Sequence, residues 1–294
     1  MIEVPPELAA TQSRHNGAAG RAFVAALPAL AARFLDAWAL RPAGPSMYGV
    51  CALVLPVARA DGAPAVLKLQ LPDAETAGEP LALRAWNGAG AVRLLTHDPP
   101  TGTMLLERLH SARTLAALPD VHEATLVIGR LLSHLTAAPA PPGLRRLADI
   151  APALLDRTPP ALARVADPAA RALLADCAAA LREVAAEPGD RLLHWDLHFG
   201  NVLAADRAPW LAIDPKPLAG DPGFELLPAL TNRFDPADVR HRFDALTAVL
   251  ALDRRRARAW TLARVLQNCV WQAEAGHPPS PEHLHVARVL REAV

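Results

Sequence analysis

The 294-residue sequence predicts an α+β chain, with a small antiparallel β-rich part first and a larger helical part second. Three observations carry that expectation. Short apolar runs alternate with turn signals as far as Glu107. Beyond Leu109 the apolar spacing changes to three and four residues. A strand-like island, Leu192 through Ile213, then interrupts the helices. The division predicted is an N-terminal lobe of residues 1–107 and a C-terminal lobe of residues 108–294.

In order along the chain, Phe23, Leu27, Leu30, Phe34, Leu35 and Trp38 mark an amphipathic helix from Arg21 to Trp38, with Pro28 as a candidate kink. A turn-rich segment, Arg41 to Gly49, leads into a strand at Val50–Val57. Asp61-Gly62 signals a hairpin, and Ala65–Leu71 is its return strand. Helical spacing from Asp73 to Asn87 ends at Gly88. Strands follow at Val92–Thr96 and Thr103–Glu107, joined by the Asp98–Gly102 turn. Helices are predicted at Val121–Leu135, Ala169–Val184, Val239–Val249 and Arg258–Glu274, and Pro139–Pro142 is a connection. No internal repeat is visible.

Composition narrows the function classes. Hydrophobic residues make up 52% and charged residues 20%, the balance of a globular chain. Thirty basic residues match thirty acidic ones, so no broad field favours nucleic acid or an anionic membrane. Cys51, Cys177 and Cys269 lack metal-cage spacing. No basic n-region with an apolar h-region opens the chain, and no uninterrupted apolar run has the length of a membrane span. The expectation is a cytoplasmic protein.

The island carries the chemistry. His194-Trp195-Asp196 is followed five residues later by Asn201, and the strand Trp210–Asp214 ends in a carboxylate. Asp206–Pro209 forms a turn, so Val202–Ala204 and Leu211–Ile213 become the arms of a short hairpin. Phosphoryl transfer needs this kind of set: a positioned hydroxyl, neutralised phosphates and a held metal. Asp196 is the candidate acceptor of the attacking hydroxyl's hydrogen bond. Asn201 and Asp214 offer hard oxygen ligands to Mg²⁺. Lys68, mid-strand, can reach the α- and β-phosphates of ATP, with Glu79 on the next helix orienting it.

This order of lysine strand, glutamate helix, H-x-D-x-x-x-x-N and hairpin aspartate resembles the protein-kinase-like fold in its aminoglycoside phosphotransferase branch. Ala65–Leu69, Glu79 through Gly88, Leu105–Leu109, His194–His198 and Ile213-Asp214-Pro215-Lys216-Pro217 resemble the aminoglycoside/hydroxyurea resistance kinases, which include streptomycin 6-kinases. The resemblance covers roughly Gly44 to Phe234. It implies a two-lobed fold, ATP and Mg²⁺ as cofactors, and a small hydroxylated acceptor such as an aminoglycoside. It also implies a hinge at Met104–Leu109 whose backbone meets adenine, with Glu107 and Leu109 as contacts, and Ser46 near the β-phosphate. Three departures from protein kinases stand out. G-x-G-x-x-G is absent, D-F-G becomes Asp214-Pro215-Lys216, and no A-P-E segment follows.

Plainer readings stay open beside these. Lys68 also fits an edge-strand lysine, and Glu75 competes with Glu79 for it. Ser46 also fits simple turn chemistry. His194 and His198 stand four apart, as metal pairs do, but on strand and loop; a buried hydrogen-bonding His194 is favoured. Asp221 reads as a helix cap, with Glu225 a possible substrate contact, and Arg254–Arg256 as a solvated helix start. The alternatives in function are a metabolic kinase for a sugar, amino alcohol or nucleoside analogue, and a non-catalytic nucleotide-binding scaffold. No acidic surface suited to a polycation stands out from Phe224 onward, so the sequence supports the reaction better than the acceptor.

Overall fold

The computed structural model describes residues 2–292, which divide into two compact units. Among the described residues, the first comprises residues 2–88 and 92–109, and the second residues 89–91 and 110–292.

In the first unit, α1 (Pro6–Ala37) precedes β1 (Arg41–Pro42), β2 (Met47–Tyr48), β3 (Ala52–Ala58), β4 (Pro64–Gln70), α2 (Glu79–Trp86), β5 (Leu94–Asp98) and β6 (Thr103–Glu107). The sheet order is β1-β3-β4-β6-β5, with β2 also on β3, and every pairing is antiparallel. Alternation along β4 sends Ala65, Leu67 and Leu69 into a core shared with Leu27, Ala31 and Phe34 of α1. Lys68 therefore points to the opposite face, opposite Val54 on β3 and Met104 on β6.

Three expectations need correction here. The first helix starts at Pro6 rather than Arg21, and its break lies at Gly17 (φ 53°), not at Pro28. Alanine-rich residues 9–20 carry too few large apolar side chains to show a period. A Cβ on Gly20 would sit 2.1 Å from the Gln12 carbonyl, so the kinked chain requires glycine at that position. By length and composition this 32-residue helix is apolar enough to cross a membrane, yet Gln12, Arg14, Asn16 and Arg21 interrupt its apolar runs and Leu27, Ala31 and Phe34 pack into the core. The second helix begins at Glu79, not Asp73. Asp73 Oδ1 accepts the N–H groups of Glu75 and Thr76, and that local turn competes with helix. The strand placed at Val92–Thr96 runs two residues later, as β5.

The second unit opens with β7 (His110–Thr114) and α3 (Val121–Leu135), capped by Asp120. Then come β8 (Arg145–Arg146), α4 (Leu147–Leu162), α5 (Pro168–Val184), β9 (Arg191–Leu193), β10 (Val202–Ala204), β11 (Leu211–Ala212) and β12 (Leu218–Gly220). α6 (Leu227–Thr231), α7 (Val239–Val249), α8 (Arg254–Glu274) and α9 (Pro281–Arg291) complete it. Two small sheets, β11-β10-β7 and β8-β12-β9, frame the island. Helix α8 runs through the core and buries Trp260, Leu266 and Cys269. Sequence spacing passes over α4, which carries Pro152, Pro159 and Pro160, and over the short α6 and terminal α9. Arg256 is no solvated helix start: it pairs with Asp221 at 2.6 Å and Glu187 at 3.0 Å.

Candidate active site

Two groups of candidate residues form, one in each unit. In the first, Lys68 Nζ donates to both carboxylate oxygens of Glu79 at 2.7 Å, and Gln70 Nε2 donates to Glu79 Oε2 at 2.9 Å. Glu79 is fully buried and Lys68 is 5% exposed. Glu79 sits in the first turn of α2, where the helix dipole favours a negative charge. Glu75 instead donates its backbone N–H to Asp73.

The other nucleotide-site candidates in this unit are separate from that pair. Ser46, half-buried just before β2, lines an open depression with Pro28, Ala32 and Leu35 of α1. Glu107 ends β6, where its Oε2 accepts the Arg93 N–H at 3.1 Å. Leu109 is buried in the segment after β6.

In the second unit, β9 delivers the chain to His194. This side chain is fully buried, and burial lowers its pKa to about 4. Its partners fix the neutral tautomer. Nε2–H donates to the Ile213 carbonyl at 3.0 Å, and Nδ1 accepts the Asp196 N–H at 3.4 Å. His194 thus ties the segment carrying Asp196 to the hairpin arm that ends at Asp214. Asn201 Nδ2 donates to the Asp196 carbonyl at 3.0 Å, and the Ile213 N–H donates to the Asn201 carbonyl at 2.9 Å. The His198 ring accepts the Gly200 N–H, shaping the turn into β10.

Both Trp195 (φ 67°) and Asp214 (φ 59°) hold left-handed backbone conformations, which cost side-chain-bearing residues energy. Glu225 Oε1 accepts the Trp195 N–H at 2.7 Å and helps hold the first of them. Glu225 is buried, which suits its role in holding Trp195, and desolvation pushes its pKa up to about 7.

Sequence reasoning gave Lys216 no role. Its Nζ lies 3.1 Å from Asp196 Oδ2, and both side chains are partly exposed. The His194 carbonyl accepts its backbone N–H at 3.0 Å, and Arg145 Nη2 donates to its carbonyl at 3.3 Å. Prolines on either side stiffen it further. The Pro215-Lys216-Pro217 bracket was the available signal: a lysine held rigid beside a candidate metal ligand.

The donor set fits Mg²⁺. Asn201 Oδ1 accepts no hydrogen bond among the described residues, because the amide's other end is spent on Asp196. Among the described residues no group of three or more His, Cys, Asp or Glu side chains forms a metal cage. Mg²⁺ requires none, since one or two protein oxygens plus water and phosphate suffice.

These arrangements define a phosphotransferase of protein-kinase-like α+β fold. A macrolide 2′-phosphotransferase from Brachybacterium faecium superposes with a TM-score of 0.59 at 18% identity, covering 92% of this chain and 98% of that one. Residues 37–276 match the family described as aminoglycoside/hydroxyurea antibiotic resistance kinase, and the chain belongs to that family. A hydroxyurea phosphotransferase from Kitasatospora aureofaciens is 61% identical over 99% of this chain and 86% of its own length. A streptomycin 6-kinase from Streptomyces glaucescens is 54% identical over 99% and 98%, respectively.

Proposed function

We propose that the protein is an ATP- and Mg²⁺-dependent O-phosphotransferase that inactivates a small hydroxylated antibiotic in the cytoplasm, with streptomycin as its first candidate acceptor. The observation that carries this reading is the Asp196 carboxylate, held by Lys216 through Oδ2, on a segment that His194 and Asn201 tie to the Asp214 hairpin. Relatives named for streptomycin and hydroxyurea support the acceptor class.

In this mechanism Asp196 Oδ1 accepts the hydrogen bond of the attacking hydroxyl and orients its lone pair toward the γ-phosphorus. Lys216 fixes the carboxylate rotamer. Lys68, stiffened by Glu79, binds the α- and β-phosphates. Asn201 Oδ1 and the Asp214 carboxylate would hold Mg²⁺, which when bound would supply neutralisation of phosphate charge. Glu107 and Leu109 offer backbone groups to adenine; Ser46, which faces the α1 depression, takes no part in this reading.

The test is ADP release from Mg²⁺-ATP with streptomycin, other aminoglycosides, hydroxyurea, sugars and amino alcohols, with products weighed by mass spectrometry. Acceptor-dependent ADP and a phosphorylated product are expected. Background ADP with every acceptor, on protein that binds ATP, favours the scaffold alternative.

A further inference from the structure

Gln12 lies in the first half of α1, ahead of the Gly17 break, and is fully buried. Its Nε2 donates to the Cys51 carbonyl at 2.7 Å, and its Oε1 accepts Asn16 Nδ2 at 2.8 Å. A buried amide costs free energy unless its ends are bonded, and here both are. Two neighbours fix its place. Leu8, one turn earlier, is fully buried in the core of the first unit, and Gly20 lies too close to the Gln12 carbonyl to admit a Cβ.

Cys51 belongs to the turn between β2 and β3. Tyr48 pairs with Leu53, and the Gly49 N–H donates to the Ala52 carbonyl at 2.9 Å, which leaves Val50 and Cys51 as a two-residue loop. Loops of that length favour mirror-image turns with positive φ, supplied by glycine or asparagine. Neither Val50 nor Cys51 has a positive φ. The turn thus departs from the form that supports itself, and Gln12 supplies a bond from outside the hairpin.

From this turn β3 leads to the lysine clamp. Ala52 stands opposite Gln70, which bonds to Glu79, and Val54 stands opposite Lys68. Three residues of strand, about 10 Å, separate Cys51 from Val54. Val50 is 70% exposed, and its N–H makes no hydrogen bond among the described residues. A backbone N–H offered by a turn is a phosphate donor. The glycine-rich loop that covers the phosphates in protein kinases is absent from this sequence.

We propose that Gln12 is a positioning residue for the nucleotide: the first half of α1 straps the β2–β3 turn so that the Val50 N–H donates to a phosphate oxygen. Fixing the turn beforehand removes an ordering cost that nucleotide binding would otherwise meet. This inference rests on the phosphotransferase reading, and the test separates the two.

Calorimetric titration of a non-hydrolysable ATP analogue with Mg²⁺ compares wild type with Gln12→Met, which keeps the packing and loses the donor to Cys51. About tenfold weaker binding is expected, the scale of one hydrogen bond. KM for ATP rises in step, while kcat stays within about twofold. Adding a self-supporting loop, Val50→Asn with Cys51→Gly, to Gln12→Met recovers most of the lost affinity; no recovery would show that Gln12 does not act through the turn. Asn16→Ala loosens Gln12 without emptying the core, costs about threefold, and carries the test if Gln12→Met fails to fold. Wild-type affinity in the folded variant would overturn the strap, as would a lowered Tm with unaltered KM for ATP, or a wild type that binds no nucleotide. ADP release with the acceptor panel reads the chemistry separately. Binding that depends on Gln12 without transfer to any acceptor keeps the strap and removes the kinase. Transfer with an unaltered KM for ATP does the reverse.

Discussion

Replacing Glu79 by Gln tests the buried clamp most sharply. The exchange removes the carboxylate charge to which the nearly buried Lys68 ammonium donates at 2.7 Å, and weakens the bond from Gln70. Breaking one side of a buried pair costs about 3–5 kcal/mol. At roughly 2–4 °C per kcal/mol for a large domain, the melting temperature falls by about 6–20 °C. The double variant Lys68→Met/Glu79→Leu removes both charges and recovers most of that loss, because an apolar pair of similar volume is often as stable. Its turnover stays at background. Scanning calorimetry with ADP release measures both quantities on one sample. An unchanged Tm in Glu79→Gln would refute the buried pair; turnover in the double variant would refute its role in phosphate binding.

Three further outcomes are expected. Asp214→Gly keeps a left-handed backbone that glycine adopts readily while removing the proposed metal-ligating carboxylate, so it abolishes turnover; activity above background would remove Asp214 from the site. Lys216→Met lowers kcat with little change in KM for ATP or in Tm, because the partly exposed pair adds under about 1 kcal/mol to stability; an unchanged kcat would remove its positioning role. The pH dependence of folding contains two opposed contributions. Neutral His194 contributes stability that is present above pH 6.5 and lost as pH falls through about 4. Protonated Glu225 contributes stability that is present below pH 4.5 and lost as pH rises through about 7. Glu225→Gln should therefore match wild type in acid and exceed it by up to about 3 kcal/mol at pH 8, read by urea unfolding; equal curves would remove the Glu225 contribution.

The strands of the first unit were legible because β3, β4 and β6 are apolar runs closed by turn residues, and α3 and α7 because their apolar period is clean. Alanine and proline hid the rest. The first half of α1 lacks large side chains, and α4 holds three prolines that read as breaks. Among the site candidates, the spacing from His194 to Asp214 was visible because short loops leave little freedom there. Lys216 was not, since its partner Asp196 is met only once the chain after the hairpin folds back on the His194 segment. Glu225, read from sequence as a possible substrate contact, is buried by the fold, where it accepts the Trp195 N–H.

The central claim is that Asp196 orients the acceptor hydroxyl, and Asp196→Ala tests it when nucleotide binding and product formation are measured on the same folded sample. The account predicts near-wild-type affinity for Mg²⁺-ATP with product formation reduced by about 10²–10⁴. Turnover close to wild type, or equal loss of binding and turnover in a protein that still melts cooperatively, would contradict it.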